Sequence, residues 1–188
     1  TRINVRSTDD IGYAIYKSAS ELLVGQGFVQ TSMRRFVRRE TTETEFSCGY
    51  EVMLSCGAGG RSYLGNLHYA TPYAVRQQAI ADEIDHYIRT TDFMTAANGF
   101  LLSTEEMQIR FIIKNLMYHR GVDLAEYEKR FGEKPDRNLF REFTDRGWIG
   151  ETGRIVRLTE EGMAYSDYIG QAFISPAVRK LMSEYVYP

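Results

Sequence analysis

Cysteine is scarce in this sequence: Cys48 and Cys56 are the whole supply. Neither lies in a CxxC-type motif and no third thiolate exists, so neither a zinc knuckle nor a thiolate-held cluster can be assembled from them. The simplest reading is a pair of buried structural thiols, on or beside a strand, in a reduced, cytoplasmic protein. Long apolar runs are also missing. None approaches the roughly 20 residues of a membrane span, and no charged-then-apolar leader opens the chain. An excess of either charge is missing too: 23 basic against 25 acidic side chains leave a net charge of -2, which gives no electrostatic case for binding nucleic acid. The three histidines, His68, His86 and His119, are scattered at spacings that suit no metal. Internal repeats and low-complexity segments are absent as well.

The chain has 188 residues, 43% of them hydrophobic. That length suits one large domain or two small ones with a real core. It opens on Thr1 and "TRINV", which reads like the end of a strand, so a piece of a longer protein is expected.

Ser7 starts a helix in which Ile11, Ala14, Ile15, Leu22 and Leu23 recur at helical spacing, and Gly25 and Gly27 stop it. Phe28 to Val37 reads as one strand. Arg34, Arg35, Arg38 and Arg39 at its end read as a basic groove or, more blandly, as a solvated strand end. Tyr50 to Cys56 is a short apolar run of the kind found in buried parallel strands. Thr71-Pro72 opens a helix whose face is Tyr73, Gln77, Ile80, Ile84, Tyr87 and Ile88. This is the rhythm of an α/β unit.

The rhythm changes beyond Asp92 to Leu102. Ser103 to Glu106 is a capping box. The helix that follows is succeeded by a second over Leu124 to Phe131 and a third over Asn138 to Arg146, with Leu139, Phe140 and Phe143 inward. A hairpin turns at Glu151-Thr152-Gly153, and Thr159 caps a further helix. Three helices, a hairpin and a helix form a winged-helix pattern. The third helix mixes Arg137, Arg141 and Arg146 with Glu142 and Asp145, a poor face for phosphates. A packing module fits better than a DNA reader.

The glycines of "SCGAGGRSYLGN" stand out. Gly57, Gly59 and Gly60, followed by Arg61, serve either a tight turn or close approach to a carboxylate or phosphate.

Three stretches carry a family likeness: "YAIYKSASELLVGQGFVQTSMRRFVR", "CGYEVMLSCGAGGRSYLGN", and "LSTEEMQIRFIIKNLMYHRGVDLAEYEKRFG" together with "LTEEGMAYSDYIGQAF". In order and spacing the chain resembles the C-terminal half of the oxygen-independent coproporphyrinogen III oxidase family of radical S-adenosylmethionine enzymes. The resemblance implies α/β plus α+β architecture. Residues 1–92 would be the last strands and helices of a partial (β/α) barrel, and residues 103–188 a winged-helix-like C-terminal domain. The family holds a [4Fe-4S] cluster through CxxxCxxC, a motif absent here, so no catalytic or metal-ligating residue is assigned and the piece alone is expected to be inactive. The resemblance further implies S-adenosylmethionine contact at Gly57, Gly59, Gly60, Arg61 and Ser62, and contact with a tetrapyrrole-like substrate at Cys48 and Tyr50. Cys48 stands where the family often has glutamine and Arg61 where it is often apolar, which speaks against a second S-adenosylmethionine. Haem chaperones, haem-degrading enzymes and methyltransferases share the family. Half a barrel would expose strand edges, so the fragment is expected either to self-associate or to cover its first strands with its own helices. The alternative reading is a winged-helix interaction module without catalysis.

Overall fold

The computed structural model describes residues 7–38, 52–96 and 98–185. The architecture is mixed α/β: among the described residues, three sheets, all paired antiparallel, are accompanied by eight α-helices. The chain forms two compact units, residues 1–43 with 108–174 and residues 44–107 with 175–188.

Helix α1 spans Ser7–Gly25. Its aliphatic residues do not make its buried face: Ile11, Ile15 and Leu22 are exposed, while Tyr16 packs on the core and Ser20 is buried. The inward face is aromatic, and phenols can bury their rings while keeping a polar tip satisfied. The single strand expected over Phe28 to Val37 is instead a hairpin, β1 (Phe28–Ser32) and β2 (Arg35–Arg38), with a register shift between Gln30 and Ser32. No glycine, proline or asparagine marks its turn at Met33-Arg34. The turn is fixed from outside. Met33 donates to the Met117 carbonyl (3.0 Å), the Tyr16 hydroxyl donates to the Met33 carbonyl (2.9 Å), and Arg34 places one nitrogen 2.6 Å from each carboxylate oxygen of Asp167.

In the second unit, β3 (Val52–Met53), β4 (Arg61–Leu64), β5 (Leu67–Ala70) and β6 (Gly99–Leu101) form one sheet in chain order. This corrects the buried parallel strand expected over Tyr50 to Cys56. Val52 pairs antiparallel with Leu64 and Met53 with Tyr63, and Val52 is 77% exposed. A parallel neighbour needs a crossover of a dozen or more residues, whereas β4 returns after a loop of seven, 54–60. Helix α2 (Gln77–Arg89) lies between β5 and β6 in the chain. It starts at Gln77 and not at Thr71-Pro72, because the Thr71 hydroxyl accepts from the Gly59 amide (2.7 Å).

Helix α3 (Thr104–Leu116) begins as expected: the Glu106 amide donates to the Ser103 hydroxyl (3.2 Å). Then come β7 (Val122–Asp123), α4 (Leu124–Phe131) and α5 (Asn138–Asp145). Asp123 caps α4 through the Ala125 and Glu126 amides, and Gly132 ends it at φ 76°. Phe140 and Phe143 of α5 are buried, but Leu139 turns outward. Strands β8 (Ile149–Thr152) and β9 (Ile155–Leu158) close the hairpin, with Gly153 at φ 60°, and β7 adds to the β9 edge. Helices α6 (Glu160–Ala164) and α7 (Ser166–Ala172) complete the first unit, and α8 (Pro176–Glu184) belongs to the second. The core of the first unit is one cluster that includes Ile112, Leu116, Val122, Phe143, Trp148 and Ile169.

Candidate functional site

The glycine loop joins β3 to β4. Gly57 and Gly59 adopt φ of 103° and 80°, where only glycine is free of strain. Gly60 is required for another reason: a Cβ there would meet the Gly57 carbonyl at 2.9 Å and the Ser55 Cβ at 3.0 Å. The loop amides point into the protein. Gly57 donates to the Tyr87 hydroxyl on α2 (2.8 Å), Gly59 to Thr71, and Gly60 to the Gly57 carbonyl (3.0 Å). Ser55 stitches the loop base, its amide donating to Ser62 Oγ (3.1 Å) and its hydroxyl to the Arg61 carbonyl (2.6 Å).

The structure therefore gathers Gly57, Gly59, Gly60, Arg61 and Ser62 in one latched loop, with Ser62 2% exposed. Three of its amides are already committed, and an N–H spent on the protein is not available to an anion without breaking that bond. The Arg61 side chain is exposed and makes no ion pair among the described residues. It is the group in the loop best suited to a carboxylate, with five donors in a fixed fork. Cys48 and Tyr50 lie outside the described residues. Thr71, read as a helix opener, and Tyr87, read as a helix-face residue, were not anticipated as partners of this loop. They stand 12 and 30 residues from the amides they hold, and no local pattern links such positions.

Cys56 is free and exposed in the loop between β3 and β4, which corrects the buried structural thiol expected there. Among the described residues no group of three His, Cys, Asp or Glu side chains stands close enough to hold a metal ion. With two cysteines in the sequence, the residues present do not fit a [4Fe-4S] cluster held by three or four thiolates. No described helix is long and apolar enough to cross a membrane.

Residues 102–165 match the family model of the HemN C-terminal domain. Over those residues the chain is HemN-like in sequence, in accord with its own motifs. Its fold matches a solved structure described as "Coproporphyrinogen III oxidase (HemN) from Escherichia coli is a Radical SAM enzyme", with a TM-score of 0.60 at 16% identity over 85% of this chain. The chain spans 40% of the length of that structure. No curated protein matches it.

Proposed function

We propose that this chain is the C-terminal part of a radical S-adenosylmethionine enzyme of tetrapyrrole metabolism resembling oxygen-independent coproporphyrinogen III oxidase, and that it is inactive by itself. The HemN C-terminal domain over residues 102–165 carries this reading, and the shared fold supports it. Residues 103–188 take the role of the winged-helix-like domain, a pattern that α3, α4, α5, the β8–β9 hairpin and α6 follow in order. The assignment of residues 1–92 to the end of a partial (β/α) barrel rests on the resemblance. The cluster and its S-adenosylmethionine belong to the parent enzyme, in the cytoplasm, and this chain supplies contact to cofactor or substrate through the loop Gly57–Ser62, chiefly Arg61.

Anaerobic reconstitution of the 188-residue chain, followed by iron counting and a 5'-deoxyadenosine assay, tests the first part. Substoichiometric iron and no product are expected; stoichiometric iron with turnover overturns it. The coding sequence upstream of Thr1 tests the parentage. A CxxxCxxC motif there supports the reading, and its absence moves the protein to the interaction-module class. In the parent enzyme, Arg61→Ala should weaken binding of a carboxylate ligand roughly ten- to a hundredfold, the worth of one charge-assisted hydrogen bond of about 1.5–3 kcal/mol. An unchanged melting temperature should accompany that loss. Unchanged affinity assigns Arg61 to the surface instead.

A further inference from the structure

A cavity of about 450 Å³ opens beside the β8–β9 hairpin, within the first unit. Gly150 of β8 and Arg157 of β9 stand opposite each other in the hairpin register, and both border the cavity. Opposite residues share one face of a sheet, so the Arg157 side chain stands beside a position that carries none. His119, Glu160 and the buried Leu158 and Met163 line the cavity as well.

Three observations here point to a ligand. The first is that the chain itself gives no reason for glycine at position 150. Its φ is not positive, and among the described residues a Cβ there would meet only Thr159 Cγ2, at an ordinary 3.9 Å. Glycine weakens a strand interior and often marks a place where a ligand or another backbone comes close. The second is the His119 ring, whose Nδ1 lies 3.1 Å from the Thr31 carbonyl. A carbonyl only accepts, so Nδ1 carries the proton and donates it. Nε2 is left with no hydrogen-bond partner among the described residues. The third is Arg157, which makes no ion pair among the described residues. Glu151, also at the cavity, is taken by Arg137 (2.6 Å).

We propose that this cavity binds a small phosphate monoester with a hydroxylated body, its phosphate held by Arg157 and His119 over Gly150 and a hydroxyl accepted by Glu160. The guanidinium fork takes two oxygens of an oxyanion. That uses up a carboxylate, whereas a phosphate monoester keeps a third oxygen for the imidazole. One proton between that oxygen and Nε2 completes the contact. Glu160 repels a second anion but accepts from a hydroxyl, which selects a sugar-type body. The volume lies within the roughly 300–1,000 Å³ of small-molecule pockets. The glycine loop belongs to the second unit, so failure here leaves the proposed role of that loop untouched.

The test is a titration of the isotope-labelled 188-residue chain with ribose 5-phosphate, ribose, phenylacetate and a short DNA duplex, followed by amide chemical shifts. Ribose 5-phosphate should saturate shifts at residues 119, 150–152 and 157–160 at about millimolar concentration, with ribose and the carboxylate at least about tenfold weaker. Arg157→Gln should weaken it about tenfold or more. His119→Asn, which keeps a donor for Thr31, should weaken it about three- to tenfold. Gly150→Val should abolish saturation with the melting temperature unchanged or raised. Arg141→Gln on α5 should leave binding as it was. Equal affinity for ribose, binding indifferent to Arg157→Gln or Gly150→Val, or no saturable shift below about 10 mM would each overturn the proposal. So would a lowered melting temperature in Gly150→Val, or tighter binding of the duplex through the same residues.

Discussion

Gly162 has no room for a side chain. A Cβ there would lie 2.0 Å from the Trp148 carbonyl oxygen, which also accepts from the Thr159 amide (2.9 Å). Backbone cannot yield as a flexible side chain can. Gly162→Ala should therefore cost about 3 kcal/mol or more, the upper end of overpacking, read as a lowered midpoint in urea. Gly12, in α1, has nothing within 4 Å of the same position, so Gly12→Ala should raise stability by about 0.5–1 kcal/mol in the same assay. Asp92 gives a pH signature. The Met94 amide donates to its carboxylate and, with the Thr95 hydroxyl, holds its pKa below the ordinary aspartate value. A depressed folded-state pKa means that this contact is fully present above the unfolded aspartate value and is lost as pH falls through the lower, folded one. The Met94 amide shift should accordingly titrate below the midpoint of an ordinary aspartate; a midpoint at or above it would contradict the bond. None of these three sites was legible in the sequence as such. Gly162 lies inside an apparently ordinary helix start, and its crowding comes from Trp148, the residue just before β8, fourteen positions away.

Short helices such as α6 depend on their ends. Thr159 donates its hydroxyl proton to the Gly147 carbonyl (2.9 Å) and accepts from the Gly162 amide (3.1 Å), so one side chain caps α6 and ties it back to the turn after α5. Thr159→Ala should cost about 1–2 kcal/mol, and Thr159→Ser should recover most of it in a denaturant melt. Elements with local signals were legible: the Thr159 cap, the α4 limits at Leu124 and Phe131, the Gly153 hairpin turn and the Ser103 cap of α3 all follow from residues within a few positions. The failures share a cause. The β1–β2 turn is held by Met117, Tyr16 and Asp167, and the start of α2 was misplaced because Thr71 serves Gly59. In both cases a tertiary partner overrides the local code. The glycine loop lies between these extremes. Its backbone demands were visible as glycines, but the acceptors its amides use were not.

At the scale of the whole molecule, large apolar side chains stand in water: Val52, Leu54, Ile80, Ile84, Ile88 and Met94 among others in the second unit. Ile80, Ile84 and Ile88 recur every four residues and so share one face of α2, and an exposed apolar stripe of that kind is a site of association. The chain should sediment as a species heavier than its 21.6 kDa at micromolar concentration, and charged replacement at Ile80, Ile84 and Ile88 together should return it to a monomer. A monodisperse monomer of the unaltered chain would refute this. The mixed α/β character and the HemN likeness were readable from motif order. The pairing of strands was not, because a two-residue strand such as β3 carries almost no periodic signal.

Trp148 is the one tryptophan of the sequence. It sits in the core of the first unit, stacked on Tyr165, with the Arg146 guanidinium 5.0 Å from its ring centre. Intrinsic tryptophan emission is thus an optical probe with a single address. It reports the packing of the unit in which it sits, whereas the sheet that carries the glycine loop belongs to the other unit. A melt followed by fluorescence can look sharp while that loop has already been lost. A signal that both units share, such as far-ultraviolet dichroism, would register the event.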